Sequence, residues 1–265
     1  MTSPDSAEAG ADETEVPVID QCLALMADGG YFVRREPGEG AQAEYWDAKK
    51  DPDGKIRDIE SERPQRVEDL RYIAEFVNAL PAGRVLDIGC GLGELLQQVD
   101  VRHEAYGLDT SPRSVEICRE KTRAEVLLGV LEGAFVEEGW FDAAVAHHVI
   151  EHVDEPVPFV REVFRLLKPG GYFICGTPDF SSAAARRFGD RFRLLHDPTH
   201  VSLFTEDSLV RLFRDTGFVV ERIEKPFFDT RFATEEAMTR MLSGEGEVSP
   251  AFYGSFMTVF ARKPG

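Results

Sequence analysis

The sequence has few cysteines, few basic residues and no long apolar run. Its four cysteines (Cys22, Cys90, Cys118 and Cys175) form no C-x-x-C pair, which indicates a reduced cytoplasmic protein rather than a disulfide scaffold. Because no apolar stretch is long enough to cross a bilayer, we expect no membrane partner. The formal net charge is −18, and a chain this acidic repels phosphate backbones. We therefore expect no nucleic-acid partner.

The N-terminal quarter differs in composition from the rest. Residues 1–17 are acidic and lack the apolar segment of a secretory signal, so we expect a disordered tail. Residues 18–65 contain a short predicted helix, Val18 to Met26, followed by few periodic apolar positions, and we interpret them as a cap over a pocket. Arg66 to Leu80 carries apolar residues on one face and predicts a helix. The main domain is predicted to span residues 66–265.

Beyond this helix, predicted strands and helices alternate, which is typical of a doubly wound α/β fold with a parallel sheet. Helices are predicted after Gly93 through Leu96, from Pro112, from Val157 to Leu167, and between Thr205 and Gly217. Residues 168–171 predict a turn. Seven strands are predicted, at residues 84–88, 103–108, 125–128, 141–146, 172–175, 218–223 and 255–262.

A glycine-rich turn follows the first of these strands. Gly89, Gly91 and Gly93 form a G-x-G-x-G pattern, in which a ligand can approach the backbone without meeting a Cβ atom. Dinucleotide enzymes use G-x-G-x-x-G instead, so the spacing disfavours NAD. Asp87 precedes the glycines, and Asp109 ends the second strand, where an acid can accept both hydroxyls of a ribose. A tight turn without a ligand is the alternative interpretation.

Four segments together resemble class I S-adenosylmethionine (SAM)-dependent methyltransferases. They are LDIGCGLG (86–93), GLD (107–109), FDAAVAHHVIEHVDEP (141–156) and LLKPGGYFICGTPD (166–179). The resemblance covers about residues 66–262. It implies seven strands in the order 3-2-1-4-5-7-6, with the last strand antiparallel and helices on both faces of the sheet.

The resemblance also implies a cofactor and its contacts. SAM is the expected cofactor, with S-adenosylhomocysteine (SAH) as its product. The adenine is expected near Leu131 and Glu132, and the donor methyl beside His147. The full set of expected cofactor contacts is Asp87, Gly89, Cys90, Gly91, Asp109, Thr110, Leu131, Glu132 and His147.

Histidines are candidates for the catalytic base. Methyl transfer from a sulfonium is an in-line displacement, and an alcohol acceptor must also lose its proton. Histidine titrates near neutrality and suits this role. His147, His148 and His200 follow predicted strands and are the candidate bases. The alternative for each is a structural histidine.

The segment His148 to His152 matches H-x-x-E-H, a zinc-protease signature of another fold. Some quinone O-methyltransferases bind a divalent ion through acids and a histidine of this segment, but this chain has His148 where those enzymes have an acid. We therefore expect no metal ligand in this chain and no need for a divalent metal. Glu151 and His152 are expected to fix the loop by hydrogen bonds.

Two insertions are expected to form the substrate pocket. Residues 177–204 contain His196 and four arginines that suit a phosphate or carboxylate, or that form a solvated helix face. Residues 224–253 combine aromatic and polar side chains, which fit either a pocket or the interface of a homodimer. The predicted substrate contacts are Arg186, Arg187, His196 and Tyr253.

The sequence thus predicts an enzyme that methylates a small polar molecule. The expected acceptor is a hydroxyl of a sugar, a nucleotide sugar or another natural product. A protein or RNA methyltransferase and a SAM-binding regulator without activity are the alternatives.

Overall fold

A computed structural model describes residues 17–37, 59–227, 234–244, 248 and 253–265. The predicted acidic tail therefore lies outside the described residues except for Pro17. Parts of the predicted cap and of the insertion at 224–253 also lie outside them. Within the described residues, no helix has the length and apolar character needed to cross a membrane.

A seven-stranded sheet forms the centre of the molecule. Its strand order is β4-β3-β2-β5-β6-β9-β8, which is the predicted order 3-2-1-4-5-7-6 because two short strands, β1 and β7, lie elsewhere. β9 runs antiparallel to both of its neighbours, as predicted. The strands are β2 (Arg84–Ile88), β3 (Glu104–Asp109), β4 (Glu125–Leu128), β5 (Phe141–His147), β6 (Leu167–Pro178), β8 (Val219–Glu224) and β9 (Phe256–Arg262).

Successive residues of the central strands point to opposite faces of the sheet, and each face has its own apolar core. Leu86, Ala144 and Phe173 pack in one core. Val85 and Ala143 pack in the other. Because both faces are covered, the strands are nearly continuous apolar runs, and this is why their positions could be predicted within a few residues.

Helices connect the strands, and the sequence caps several of them. α4 (Pro112–Lys121) begins at Ser111, whose hydroxyl accepts from the Ser114 amide. α5 is Pro156–Leu166. α7 (Glu206–Thr216) begins at Thr205 with a reciprocal capping box and ends at Gly217, with φ of 109°. The other helices are α1 (Val18–Asp28), α2 (Ile59–Asp69), α3 (Arg71–Ala79), α6 (Ala183–Phe188) and α8 (Glu235–Ser243).

Three local predictions are wrong. The helix predicted at 66–80 is two helices, α2 and α3, which meet at Leu70, and α2 starts before Pro64 and contains it. The helix predicted after Gly93 is a series of turns followed by a 3-10 helix, Leu96–Gln98. The turn predicted at 168–171 belongs to β6, where pairing jumps from Phe141–Leu167 to Ala143–Tyr172.

A third, smaller core connects the N-terminal segment to the insertion after β6. The buried face of α1, with Ile19 and Cys22, packs on residues 180–195 and on Phe256. β1 (Val33–Arg34) pairs antiparallel with β7 (Ser202–Leu203). The first part of the predicted cap, residues 18–34, is therefore packed on residues that follow the carboxyl end of β6.

Thr205 provides a test of the capping analysis. Its side chain is buried and accepts from the Ser208 amide, while the Ser208 hydroxyl accepts from the Thr205 amide. Thr205→Ala should lower the free energy of unfolding by about 1–2 kcal/mol, because one amide at the start of α7 loses its acceptor. Thr205→Ser keeps the hydroxyl and is the control. Urea denaturation measures both, and equal stability of Thr205→Ala and the wild type would contradict the capping account.

Candidate active site

The glycine turn after β2 has the backbone conformation that its glycines permit. Gly89 and Gly91 have φ of 68° and 52°, in the left-handed region that glycine adopts without strain. The amides of Gly89 and Cys90 donate to the Leu108 carbonyl at 2.7 and 3.1 Å. These bonds hold the turn over the carboxyl end of β3.

Gly89 also permits a close contact between two loops. A Cβ atom at residue 89 would lie 2.5 Å from Cγ2 of Val149. Val149 belongs to the segment that follows β5, and β5 pairs directly with β2. The loop that carries the candidate histidines is therefore packed against the glycine turn.

Asp87 is an acid at the end of β2 with little contact with solvent. Asp87 is 5% exposed. Burial raises the pKa of the Asp87 carboxyl well above its ordinary value, and the negative charges of Cys118, Glu94 and Asp109 add to that shift. An acid in this environment gains a partner if a cation is placed beside it.

Asp109 ends β3 and is tied to the backbone. Its Oδ2 atom accepts from the Gly91 amide and its Oδ1 atom from the Ser111 amide, both at 2.9 Å. Burial raises the pKa of Asp109, while these amides and that of Thr110 oppose the shift. A carboxylate can accept about four hydrogen bonds, so these two leave room for hydroxyl donors.

The loop after β4 lies against this acid. The Gly129 amide donates to the Asp109 carbonyl at 2.9 Å. Leu131 is buried at 3% exposure, while Glu132 and Thr110 are exposed. The structure thus brings the residues predicted near the adenine to the edge of the sheet that holds Asp109.

Cys90 presents only its backbone to the turn's surface. Its thiol is buried and lies 3.9 Å from the Cys118 thiol on α4, in the core on one face of the sheet. Any contact of Cys90 with a cofactor would therefore be made by its main chain.

Glu94 is an acid of this site that the sequence analysis missed. It is 4% exposed, and its Oε1 atom is buried without a hydrogen-bond partner among the described residues. Arg66 Nε lies 3.9 Å from that atom. A Cβ atom at Gly91 would lie 3.3 Å from Glu94 Oε2. The position of Glu94 directly after Gly93 was the signal that could have identified it.

The two histidines at the end of β5 have different environments. The Nε2 atom of His147 is buried, and burial together with the nearby His148 lowers the pKa of His147 well below its ordinary value. The His148 side chain is 30% exposed. The two rings are perpendicular, with centroids 4.5 Å apart. Both residues are partly exposed, but the Nε2 atom of His147 is shielded from solvent.

His200 is more buried and is in contact with residues of the segment that follows β6. It is 5% exposed, its Nδ1 atom is 2.8 Å from the Leu194 carbonyl, and its ring lies 4.9 Å from that of His152. Atoms of Glu151, His152 and His200 that are able to bind a metal lie within 4.8 Å of one another. These three side chains are the group in the described part of the chain that could surround a cation.

The predicted substrate contacts lie on two segments of the chain, one after β6 and one before β9. Arg186 and Arg187 lie on α6 and are exposed, and Arg186 donates to the Ser181 carbonyl. Tyr253 is 73% exposed. His196 ends a 3-10 helix, Arg193–His196, and its side chain is outside the described atoms. Of the aromatic residues predicted in this insertion, Phe227 is 56% exposed, while Phe228 and Phe252 lie outside the described residues.

Comparison with known proteins identifies the family. Residues 59–223 match a family model described as a methyltransferase domain. The ubiquinone biosynthesis O-methyltransferase of Cereibacter sphaeroides is 32% identical over 207 residues, which cover 68% of this chain and 79% of that protein. For the five relatives ahead of it in similarity, the chain covers only 33% to 58% of their length.

Solved structures share the fold. A protein of Thermotoga maritima described as a possible histamine N-methyltransferase is 24% identical, with a TM-score of 0.54 over 76% of this chain and 89% of that one. A [4+2]-cyclase is 21% identical, with a TM-score of 0.56 over 93% of both chains. At this identity the likeness concerns the fold alone. The family match decides the assignment: the chain belongs to the methyltransferase-domain family, and its sheet has the class I methyltransferase fold.

Proposed function

We propose that this protein transfers a methyl group from SAM to a hydroxyl of a small polar acceptor, with His148 as the base. The observation that carries the proposal is the contact of Val149 with Gly89, which packs the segment that carries the partly exposed His148 against the glycine turn. Relatives described as ubiquinone biosynthesis O-methyltransferases support a hydroxyl acceptor. The net charge of −18 supports a small acceptor over a nucleic acid.

The charges of the site suit SAM. SAM carries a methyl group on a positively charged sulfur and an ammonium group, and it has one carboxylate. Asp87 and Glu94 are buried acids beside the glycine turn. The Oε1 atom of Glu94 has no hydrogen-bond partner among the described residues and is an acceptor for an ammonium group. Arg66, close to Glu94, is a donor for a carboxylate. In this proposal Asp109 holds the ribose hydroxyls, and the backbone of Gly89, Cys90 and Gly91 approaches the cofactor closely.

The remaining cofactor contacts are proposed at the residues that the sequence predicts. Thr110, Leu131 and Glu132 are proposed beside the adenine, since they lie next to Asp109 at the same edge. His147 is proposed beside the donor methyl as a neutral ring, because its lowered pKa keeps it uncharged near a cation.

His148 is a better base than the other two candidates. A base must reach the acceptor. The Nε2 atom of His147 is buried and His200 is 5% exposed, whereas the His148 side chain is 30% exposed. In the proposed reaction the acceptor oxygen attacks the methyl carbon while its proton moves to His148. The acceptor class remains a sugar, a nucleotide sugar or another natural product, with Arg186, Arg187, His196 and Tyr253 as candidate contacts.

Transfer of a labelled methyl group tests this function directly. The wild type should methylate a member of a panel of nucleotide sugars, aminosugars, phenols and catechols. His148→Asn should lower kcat at least about 100-fold and leave SAM affinity unchanged, because asparagine accepts the backbone conformation of residue 148 but cannot act as a base. His147→Asn and His200→Asn are the comparisons.

Unchanged turnover of His148→Asn would contradict the role of His148 as the base. Tight SAM binding without transfer to any compound would favour a macromolecular acceptor or a regulator.

The raised pKa of Asp87 predicts how SAM binding depends on pH. Below that pKa the carboxyl is neutral, so a proton must leave before the acid can face the sulfonium. SAM affinity should therefore fall as the pH falls through this raised pKa, and it should fall less for SAH, whose sulfur is uncharged. Asp87→Asn should weaken SAM binding and flatten its pH dependence. Isothermal titration calorimetry at several pH values measures this, and the same slope in both proteins would contradict the role of Asp87.

A further inference from the structure

Glu151 is a fully buried carboxylate between the candidate base and β6. Its side chain is 0% exposed. Its Oε1 atom lies 2.9 Å from Nδ1 of His148, and its Oε2 atom accepts a hydrogen bond of 2.9 Å from the Thr177 hydroxyl. Each carboxylate oxygen thus has a partner, and one of them is the ring proposed as the base.

This carboxylate stays ionised although it is buried. Burial raises the pKa of Glu151, but the hydrogen bond with His148 and the positive charge of neighbouring histidines outweigh burial and lower it to about 2. A charge that is removed from water in this way is stable only while its partners remain in place. The histidines that contribute are His148, His152 and His200.

The backbone at His148 is held in an unusual conformation. Its φ is 56°, and among the described residues it is the only one other than glycine with a positive φ. The His148 amide donates to the Gly176 carbonyl at 2.8 Å, next to Thr177 in the chain. Left-handed backbone at a residue with a side chain is unfavourable and persists where the surroundings impose it. Here it turns the His148 ring so that Nδ1 faces Glu151.

We propose that Glu151 is a positioning residue that acts through His148. Its carboxylate accepts a hydrogen bond from the Nδ1–H group of His148, which leaves the lone pair of the ring on Nε2. When His148 takes the proton of the acceptor hydroxyl on Nε2, the ring becomes positively charged, and the Glu151 carboxylate stabilises that charge. The methyl carbon forms its bond to the acceptor oxygen and loses its bond to sulfur, and His148 later releases the proton to water. This inference rests on the proposed function of His148.

The alternative role of Glu151 is to bind a metal with His152 and His200. The two hydrogen bonds to its oxygens favour the positioning role. The Nδ1 atom of His152 also lies 2.9 Å from the Thr199 carbonyl, so that ring is fixed by the backbone.

The variant Glu151→Gln tests the inference, and the experiment does not require the methyl-acceptor substrate to be known. Glutamine can still accept from His148 Nδ1 and donate to Thr177, but it has no charge. In the wild type and the variant, ¹⁵N-labelled histidine side chains are followed by NMR as the pH changes. The midpoint at which the His148 ring takes up its second proton should fall by at least about 1 pH unit in the variant. His147 and Asp69 also face His148 and are the same in both proteins.

Two further variants complete the test. Glu155→Gln makes the same change at an exposed residue of the same loop and should leave the midpoint unchanged. Thr177→Val keeps the charge of Glu151 and removes its other donor, so the midpoint should rise or stay unchanged. If Glu151→Gln does not fold, an unchanged or higher midpoint in Thr177→Val still supports the inference, and a fall overturns it.

The outcomes separate the inference from the proposed function. An unchanged His148 midpoint in Glu151→Gln would overturn the positioning role, even if His148→Asn abolishes methyl transfer. If the His148 midpoint is lowered in Glu151→Gln but His148→Asn transfers methyl groups normally, the role of His148 as base would be overturned. The ion pair between Glu151 and His148 would then be structural. Zn²⁺ or Mg²⁺ bound by the wild type and lost in Glu151→Gln, with no change in the His148 midpoint, would overturn positioning in favour of a metal site. A lowered midpoint together with a loss of transfer supports both.

Discussion

Gly89 lies against Val149, and this contact exists because residue 89 has no Cβ atom, which would lie only 2.5 Å from Cγ2 of Val149. β2 and β5 are neighbours in the sheet, so their carboxyl ends lie side by side. The close approach of the loops that follow them brings the glycine turn and the histidine segment into one site. The acids at the ends of β2 and β3 complete that site, at the edge where open α/β sheets bind ligands.

The charges of the site are divided into two groups. Asp87, Glu94 and Asp109 surround the glycine turn and favour a cation. Glu151 lies below the histidines and favours the charged form of their rings. A cationic cofactor beside the first group and a base supported by the second suit a reaction in which a methyl group leaves a positive sulfur while a proton leaves an oxygen. The contact between Val149 and Gly89 joins the two loops that carry these groups of charges.

The sequence predicts the sheet well because the strands are buried on both faces. The predicted and observed bounds of β2 and β4 are identical. Local sequence patterns were less informative where tertiary packing determines the bounds or the type of a helix. Pro64 lies inside α2, and the chain after Gly93 forms turns before a 3-10 helix. The glycines and Asp109 were recognisable from their spacing. The partnership of Glu151 with Thr177 was not, because the two residues lie on different elements that only the fold brings together.

Binding of SAM to Gly89→Ala tests the central claim, that the glycine turn and the histidine segment form one site. A Cβ atom at residue 89 would push Val149 away and strain a backbone with φ of 68°. Gly244→Ala is the matched control, because Gly244 has φ of 82° but nothing within 4 Å of the added Cβ atom. With both variants folded, as judged by circular dichroism, we expect SAM affinity to fall at least about 100-fold in Gly89→Ala, a loss of roughly 2.7 kcal/mol, and to remain unchanged in Gly244→Ala. Wild-type affinity in Gly89→Ala would contradict the account.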